Sequence, residues 1–265
     1  MTDAPTQPAP TERSNEFASR GHPRYWWHEG RGRGHTPPVY SDLADGEWAL
    51  LREWFEDTER LGTCGEISVA MASVLQAFVM GSGLRSIVQL GHFRGYSTLL
   101  MGFWLRRMGV ERGLVSIDCN QKSTEYTRGW IERAGLARCV TLLVGDSADP
   151  EMLGAAERAL GRAPRCVIVD SSHQYAHTVR ELDLWWGALA PGGMMFLHDC
   201  SEFARRWDRT GEGGVRRALE EWFARTPEAR AIMLDGDPGE SGASAYADRC
   251  GLCMVQKPMR AGPGD

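Results

Sequence analysis

From residue 85 onward, short apolar runs rich in β-branched residues alternate with stretches of helical period. The runs at 86–90, 114–118, 140–144, 166–170 and 194–198 predict five strands. Segments near 96–108, 122–134, 149–160, 175–189 and 213–225 repeat apolar residues every three to four positions and predict helices. Strands separated by a helix each time can be joined only by crossover connections, so the pattern predicts a parallel sheet covered by helices on both faces. Two later apolar runs, 231–234 and 252–255, add a closing hairpin and bring the strand count to seven. Ahead of the sheet, Trp48, Leu51, Trp54 and Phe55 share one face of an amphipathic helix over 47–61, and a second helix is expected over about 66–80. Together they predict a helical cap over 41–82.

Residues 1–40 are rich in Pro, Thr, Gly and Arg without a sustained hydrophobic period, which predicts a largely flexible segment before a single domain over 41–265. Tyr25-Trp26-Trp27 is the exception, and three adjacent aromatics either pack back on the domain or meet a partner. Composition narrows the partners. A formal net charge of −5 argues against nucleic acid, whose phosphates call for a surplus of Lys and Arg, and favours a small molecule. Seven scattered cysteines read as reduced thiols of a cytoplasmic protein, and no apolar run has the length of a membrane span. Cys250-x-x-Cys253 has no second pair, and strand alternation would point its thiols to opposite faces; Trp185-Trp186 reads as core. Self-association stays open.

Candidate chemistry gathers at the strand ends. The first strand runs into Gln89-Leu90-Gly91-His92-Phe93-Arg94-Gly95-Tyr96-Ser97 and directly into a helix, so Gly91 and Gly95 lie where the chain turns sharply beside a ligand. A side chain added at Gly95 is expected to intrude on that ligand. Asp118 ends the second strand 27 residues after Gly91, where a carboxylate can accept both hydroxyls of a ribose, and Gly145-Asp146-Ser147 comes after the third strand, where an adenine edge would lie. Asp170 and Asp199 come at the ends of the fourth and fifth strands; neighbouring strand ends are ~5 Å apart, so both can face one opening and suit a hard divalent cation such as Mg²⁺. His173, with an ordinary pKa of about 6.5, suits a general base, a helix cap or a metal ligand, and His177 lies one turn further on, where packing on the sheet is the simpler reading.

The Gly-His-Phe-Arg-Gly-Tyr-Ser loop resembles the cofactor loop of the catechol and caffeoyl-coenzyme A O-methyltransferases, as do Gly65-Glu66-Ile67-Ser68, residues 130–146 and residues 252–264. The resemblance implies a Rossmann-like class I methyltransferase with strand order 3-2-1-4-5-7-6 that binds S-adenosylmethionine. It implies a cofactor site of Ile67, Ser68, Gly91, His92, Phe93, Gly95, Ser97, Asp118, Asp146, Ser147 and Asp170. Gln89 replaces the acidic residue that the family carries there, which bears on how the cofactor's amino group is held. The family also holds a divalent cation on aspartates matching Asp170 and Asp199 and on an asparagine where this chain has Cys200. Thiol is a poor Mg²⁺ ligand, so His198 supplies a third ligand, a softer metal binds, or no metal binds. His173 falls where the family has a catalytic lysine. A shorter stretch, from Asp170 through Tyr175, Glu181 and Pro191-Gly192-Gly193 to His198-Asp199, resembles the cephalosporin hydroxylase and sugar O-methyltransferase group, and shifts the expected acceptor towards a sugar or natural-product hydroxyl. Three other classes remain: a methyltransferase-fold protein with other, hydroxylase-like chemistry, a non-catalytic cofactor-binding module, and a nicotinamide-dependent oxidoreductase, the last disfavoured because the glycines are not spaced Gly-x-Gly-x-x-Gly.

Overall fold

The structure is a computed structural model that describes residues 36–236, 246 and 248–259, so Tyr25-Trp26-Trp27 lies outside the described residues. The chain divides into two compact units, residues 1–49 and 50–265. In the first unit, the short helix α1 (Pro38–Ser41) begins on a proline, whose missing N–H would have no helical partner there anyway. The Tyr40 and Trp48 rings lie 5.5 Å apart. Helix α2 spans Asp45–Arg60.

The second unit holds seven strands and the helices between them. They are β1 (Ile87–Leu90), α4 (Tyr96–Arg107), β2 (Leu114–Asp118), α5 (Gln121–Arg133), β3 (Val140–Val144), α6 (Pro150–Leu160), β4 (Cys166–Val169), α7 (Tyr175–Ala188), β5 (Met194–His198), α8 (Gly214–Arg225), β6 (Arg230–Leu234) and β7 (Leu252–Gln256). Helix α3 (Val69–Gly81) precedes them. The sheet order is β3-β2-β1-β4-β5-β7-β6, as the resemblance implies. The first five strands pair in parallel and β7 runs antiparallel to both β5 and β6.

Side-chain alternation explains how both faces are covered. Val88 and Leu90 join Val115, Ile117, Val167, Val169, Met195 and Leu197 in a core against α6, α7 and α8, where Trp185 and Trp222 are fully buried. Ile87 and Gln89 turn to the opposite face. There Phe78 of α3 meets Phe196 of β5 edge-on at 5.2 Å, and Trp54, Phe55 and Tyr96 form an aromatic cluster with centroids 5.4–5.8 Å apart.

Helix α3 starts three residues later than expected, because the Ser68 hydroxyl accepts the Met71 N–H and so caps the helix. A 3₁₀ turn at Phe203–Trp207, too short to show a helical period, comes after β5. Among the described residues, no helix is long and apolar enough to cross a membrane.

The loop after β1 is tied to the end of β4. Gly91 has φ +84°, and a β carbon there would lie 2.0 Å from the Asp170 carbonyl oxygen. Gly91→Ala combines a left-handed backbone with a backbone clash, so it is expected to cost about 2–4 kcal/mol, a fall in Tm of roughly 5–15 °C for a unit of this size. Thermal unfolding by circular dichroism checks this; an unshifted Tm would mean that the two strand ends can part freely.

Candidate functional site

Asp118, at the end of β2, holds the glycine loop from outside. Its Oδ2 accepts the N–H groups of Phe93 (2.8 Å) and His92 (3.2 Å), and its Oδ1 accepts the Asn120 N–H at 2.8 Å. His92 turns its ring away from the loop's outer side. Its imidazole is buried beneath the loop, with Nδ1 3.0 Å from Ser116 Oγ and Nε2 3.0 Å from Thr124 Oγ1. Burial pushes its pKa down to about 4 against the opposing charge of Asp118, so the ring is neutral.

Gln89 completes an uncharged network. Its amide donates to the Gly91 carbonyl (3.0 Å) and to Ser97 Oγ (2.7 Å), and its oxygen accepts from Thr98 Oγ1 (2.8 Å) and Ser116 Oγ (3.2 Å). Both amide protons and the carbonyl are thereby used. Gly95, at φ +87°, is also packed against α5: a β carbon there would meet Thr127 Cγ2 at 2.6 Å, so helix packing alone already forbids a side chain at this position.

A cavity of about 350 Å³ opens above these strand ends, lined by Gly65, Ile67, residues 91–97, Asp118, Asp170 and His173 among others. A smaller one of about 90 Å³ shares Gly91, Asp118 and Ser171 with it and adds Cys119, Asp146, Ser147 and His177. Ser68 lines neither: besides capping α3 it donates to Asp248 Oδ2 at 2.8 Å. Ser147 turns its hydroxyl to the buried Glu181. His177 does not simply pack on the sheet. Its Nε2 lies 2.7 Å from Asp146 Oδ1 and its Nδ1 3.3 Å from Glu181 Oε2.

On the far side the charged residues converge. His173 Nε2 lies 2.9 Å from Asp199 Oδ2, and His198 Nδ1 lies 3.3 Å from Asp170 Oδ1 and 3.4 Å from Asp199 Oδ2. The other His198 nitrogen meets Asp248 Oδ2 at 3.0 Å. Burial alone would lower the pKa of both histidines, but the carboxylates outweigh it: Asp199 and Asp170 raise His173, and raise His198 well above its ordinary value. The same charges hold Asp199 well below the usual carboxylate range despite its burial.

Cys200 takes no part. It is fully buried in the core, and burial pushes its thiol far up. Asp248, which no sequence motif marks, is the residue that sequence reading missed. It lies 50 positions from its partner His198 and is brought there only by the β6–β7 hairpin. His173 (φ 59°), Asp199 (φ 57°) and Phe93 (φ 43°) all adopt left-handed backbone, and such strain persists only where the surroundings impose it, as around binding sites.

Residues 88–200 match a family model described as a methyltransferase domain. The fold is that of a class I methyltransferase. An O-methyltransferase from Bacillus cereus in complex with SAH superposes with a TM-score of 0.63 at 20% identity, over 83% of this chain and 96% of that one. TomG from Streptomyces achromogenes, described as an O-methyltransferase involved in tomaymycin synthesis and in complex with SAM, gives 0.61 at 18%, over 79% and 89%. Cofactor-bound Rv0187 from MTB gives 0.64 at 15%, over 96% and 100%. No curated protein matches. The methyltransferase fold thus accounts for the sheet order and for cavities placed above the carboxyl ends of its strands.

The buried neutral His92 has a measurable consequence. With a folded pKa of about 4 against an ordinary 6.5, the unfolded chain binds a proton that the folded one refuses as pH falls between these values, so stability drops with falling pH. Denaturation curves between pH 6.5 and 4.5 should show the wild type losing up to ~1.4 kcal/mol per pH unit more than His92→Asn. Parallel losses would refute the neutral, proton-refusing ring.

Proposed function

We propose that the protein is an S-adenosylmethionine-dependent O-methyltransferase that acts on a hydroxyl group of a small natural product or sugar. The observation that carries the reading is the position of Asp118 and His173 on one cavity, with Asp170 lining it as well. Asp118 keeps lone pairs for a ribose diol while it holds the loop, and Asp146 and Ser147 line the adjoining space suited to a base. Gly91, Phe93 and Ser97 would bound the methionine part with Ile67 from the α3 side. Because the Gln89 amide is fully engaged, the cofactor's amino group would rely on other acceptors, of which the Asp170 carboxylate lines the cavity. The scattered thiols, none of them in a disulfide, support a cytoplasmic setting.

Bound S-adenosylmethionine supplies an electrophilic methyl group that leaves its sulfur as a neutral thioether. The chain's own task is to orient the acceptor oxygen and remove its proton. Asp199 accepts the Nε2–H of His173, which fixes the tautomer and leaves Nδ1 to take that proton. Asp170, His198 and Asp199 offer two carboxylate oxygens and a ring nitrogen within 4.8 Å of one another. With an imidazole gained and the amide at position 200 lost, this donor set fits a borderline cation such as Mn²⁺ or Zn²⁺ better than Mg²⁺. A cation held there would lower the pKa of the acceptor hydroxyl.

Two variants separate cofactor from acceptor chemistry. Asp118→Ala is expected to weaken S-adenosylhomocysteine binding about tenfold or more in calorimetry, the worth of one charge-assisted hydrogen bond. Unchanged affinity in a folded variant would remove the cofactor from this site. His173→Ala should bind S-adenosylhomocysteine normally yet lose roughly 10²–10⁴ in turnover on a hydroxyl acceptor; full turnover would discard His173 as the base.

A further inference from the structure

A fully buried carboxylate lies behind the smaller cavity. Glu181, in the second turn of α7, accepts the Ser171 hydroxyl at 2.7 and 2.8 Å and the Ser147 hydroxyl as well. Hydroxyl donors alone compensate a buried charge poorly, and a positive neighbour is the usual remedy. That neighbour is His177, one turn earlier, whose Nδ1 stands 3.3 Å from Glu181 Oε2. Its other nitrogen reaches outward to Asp146 Oδ1 at 2.7 Å.

Asp146 is therefore held on one oxygen only. Oδ1 takes His177 and the Ala148 N–H at 2.9 Å, while the nearest cation to Oδ2, Arg180, is 3.8 Å away, beyond hydrogen-bond reach. A charged bridge thus runs from the buried Glu181 through His177 to the carboxylate at the rim of the smaller cavity. Burial lowers the His177 pKa, but Glu181 and then Asp146 outweigh it and raise it, which favours the protonated ring that such a bridge needs.

We infer that His177 is a positioning residue for a purine-like ring with an exocyclic amino group: anchored on Glu181, it fixes Asp146 so that Oδ2 stays free to accept that amine. This rests on the proposed cofactor reading and deepens it. It assigns the discrimination between an amino and an oxo substituent on the bound base to a histidine that acts through the carboxylate it holds. A site that holds a carboxylate acceptor for an N–H donor leaves it unpaired, or repelled, when a carbonyl takes the donor's place.

The test compares S-adenosylhomocysteine with its deaminated analogue, S-inosylhomocysteine, by calorimetry on the full chain. The wild type is expected to prefer the amino form tenfold or more, and His177→Ala to lose most of that preference while binding the deaminated ligand within about threefold of wild type. His177→Gln fills similar space but cannot bridge the two carboxylates as a cation. It should lose the preference too, and it carries the test if the alanine variant does not fold. Equal weakening of both ligands by His177→Ala would reduce His177 to a structural role and overturn the inference while leaving the cofactor reading intact. Equal affinity of the wild type for both ligands would also overturn it. A wild type that binds neither would remove the cofactor reading and this inference together.

Discussion

Gly91 and the Asp170 carbonyl approach so closely that a single β carbon would not fit between them, and the rest of the site depends on this contact. It continues the ladder of β1 and β4, in which Asp170 N–H donates to the Leu90 carbonyl at 2.9 Å. One strand end starts the glycine loop and the other presents the carboxylate that faces the charged cluster. Locked this closely, the two cannot drift independently, so the distance between the loop and the charged cluster is set by backbone and not by flexible side chains. Strand order then distributes the chemistry. β2 and β3 carry Asp118 and Asp146 on one side of this contact, and β4 and β5 carry Asp170, His198 and Asp199 on the other.

The two sides solve burial differently. Beneath the loop, Gln89, His92, Ser97, Thr98, Ser116 and Thr124 form a network without formal charge, in which the Gln89 amide and both His92 nitrogens find neutral partners. Such a network holds the loop without the desolvation cost of an ion. Beyond β4, three carboxylates and two histidines share a largely buried space, which is tolerable only because each acid faces an imidazole. The charged arrangement is the one with chemical capacity, since its protons and any cation are exchangeable. Two of the left-handed residues, His173 and Asp199, belong to it.

How much of this the sequence reveals depends on how local each signal is. The parallel sheet is legible because every crossover carries its own period, and the strand ends because Gly91, Asp118, Asp146, Asp170 and Asp199 close apolar runs or come just after them. Orientation is less legible. Ser68 also caps a helix, and the His92 ring turns under the loop although its backbone lies in it, because one residue's backbone and side chain can face opposite ways. Gly95 has the sequence context of a ligand-facing glycine, but a further reason that it excludes a side chain, Thr127, sits on α5, 32 residues away.

Asp248 and Glu181 are harder still, since a buried acid is recognisable only through partners that the fold supplies, and those partners come from distant segments. Their effect, however, reaches back to residues that are legible. His198 is held by Asp248 through one nitrogen, so the other is left to Asp170 and Asp199. Glu181 stands as an ion-pair partner at 3.3 Å from His177, whose other nitrogen hydrogen-bonds Asp146. In both places a carboxylate shielded from the cavity orients an imidazole, and the imidazole orients the carboxylate at the cavity. The departures at positions 89 and 200 fit this division. The chain places the neutral Gln89 where the loop is anchored and buries the Cys200 thiol away from the charged cluster, so each residue agrees with the electrostatic character of its surroundings.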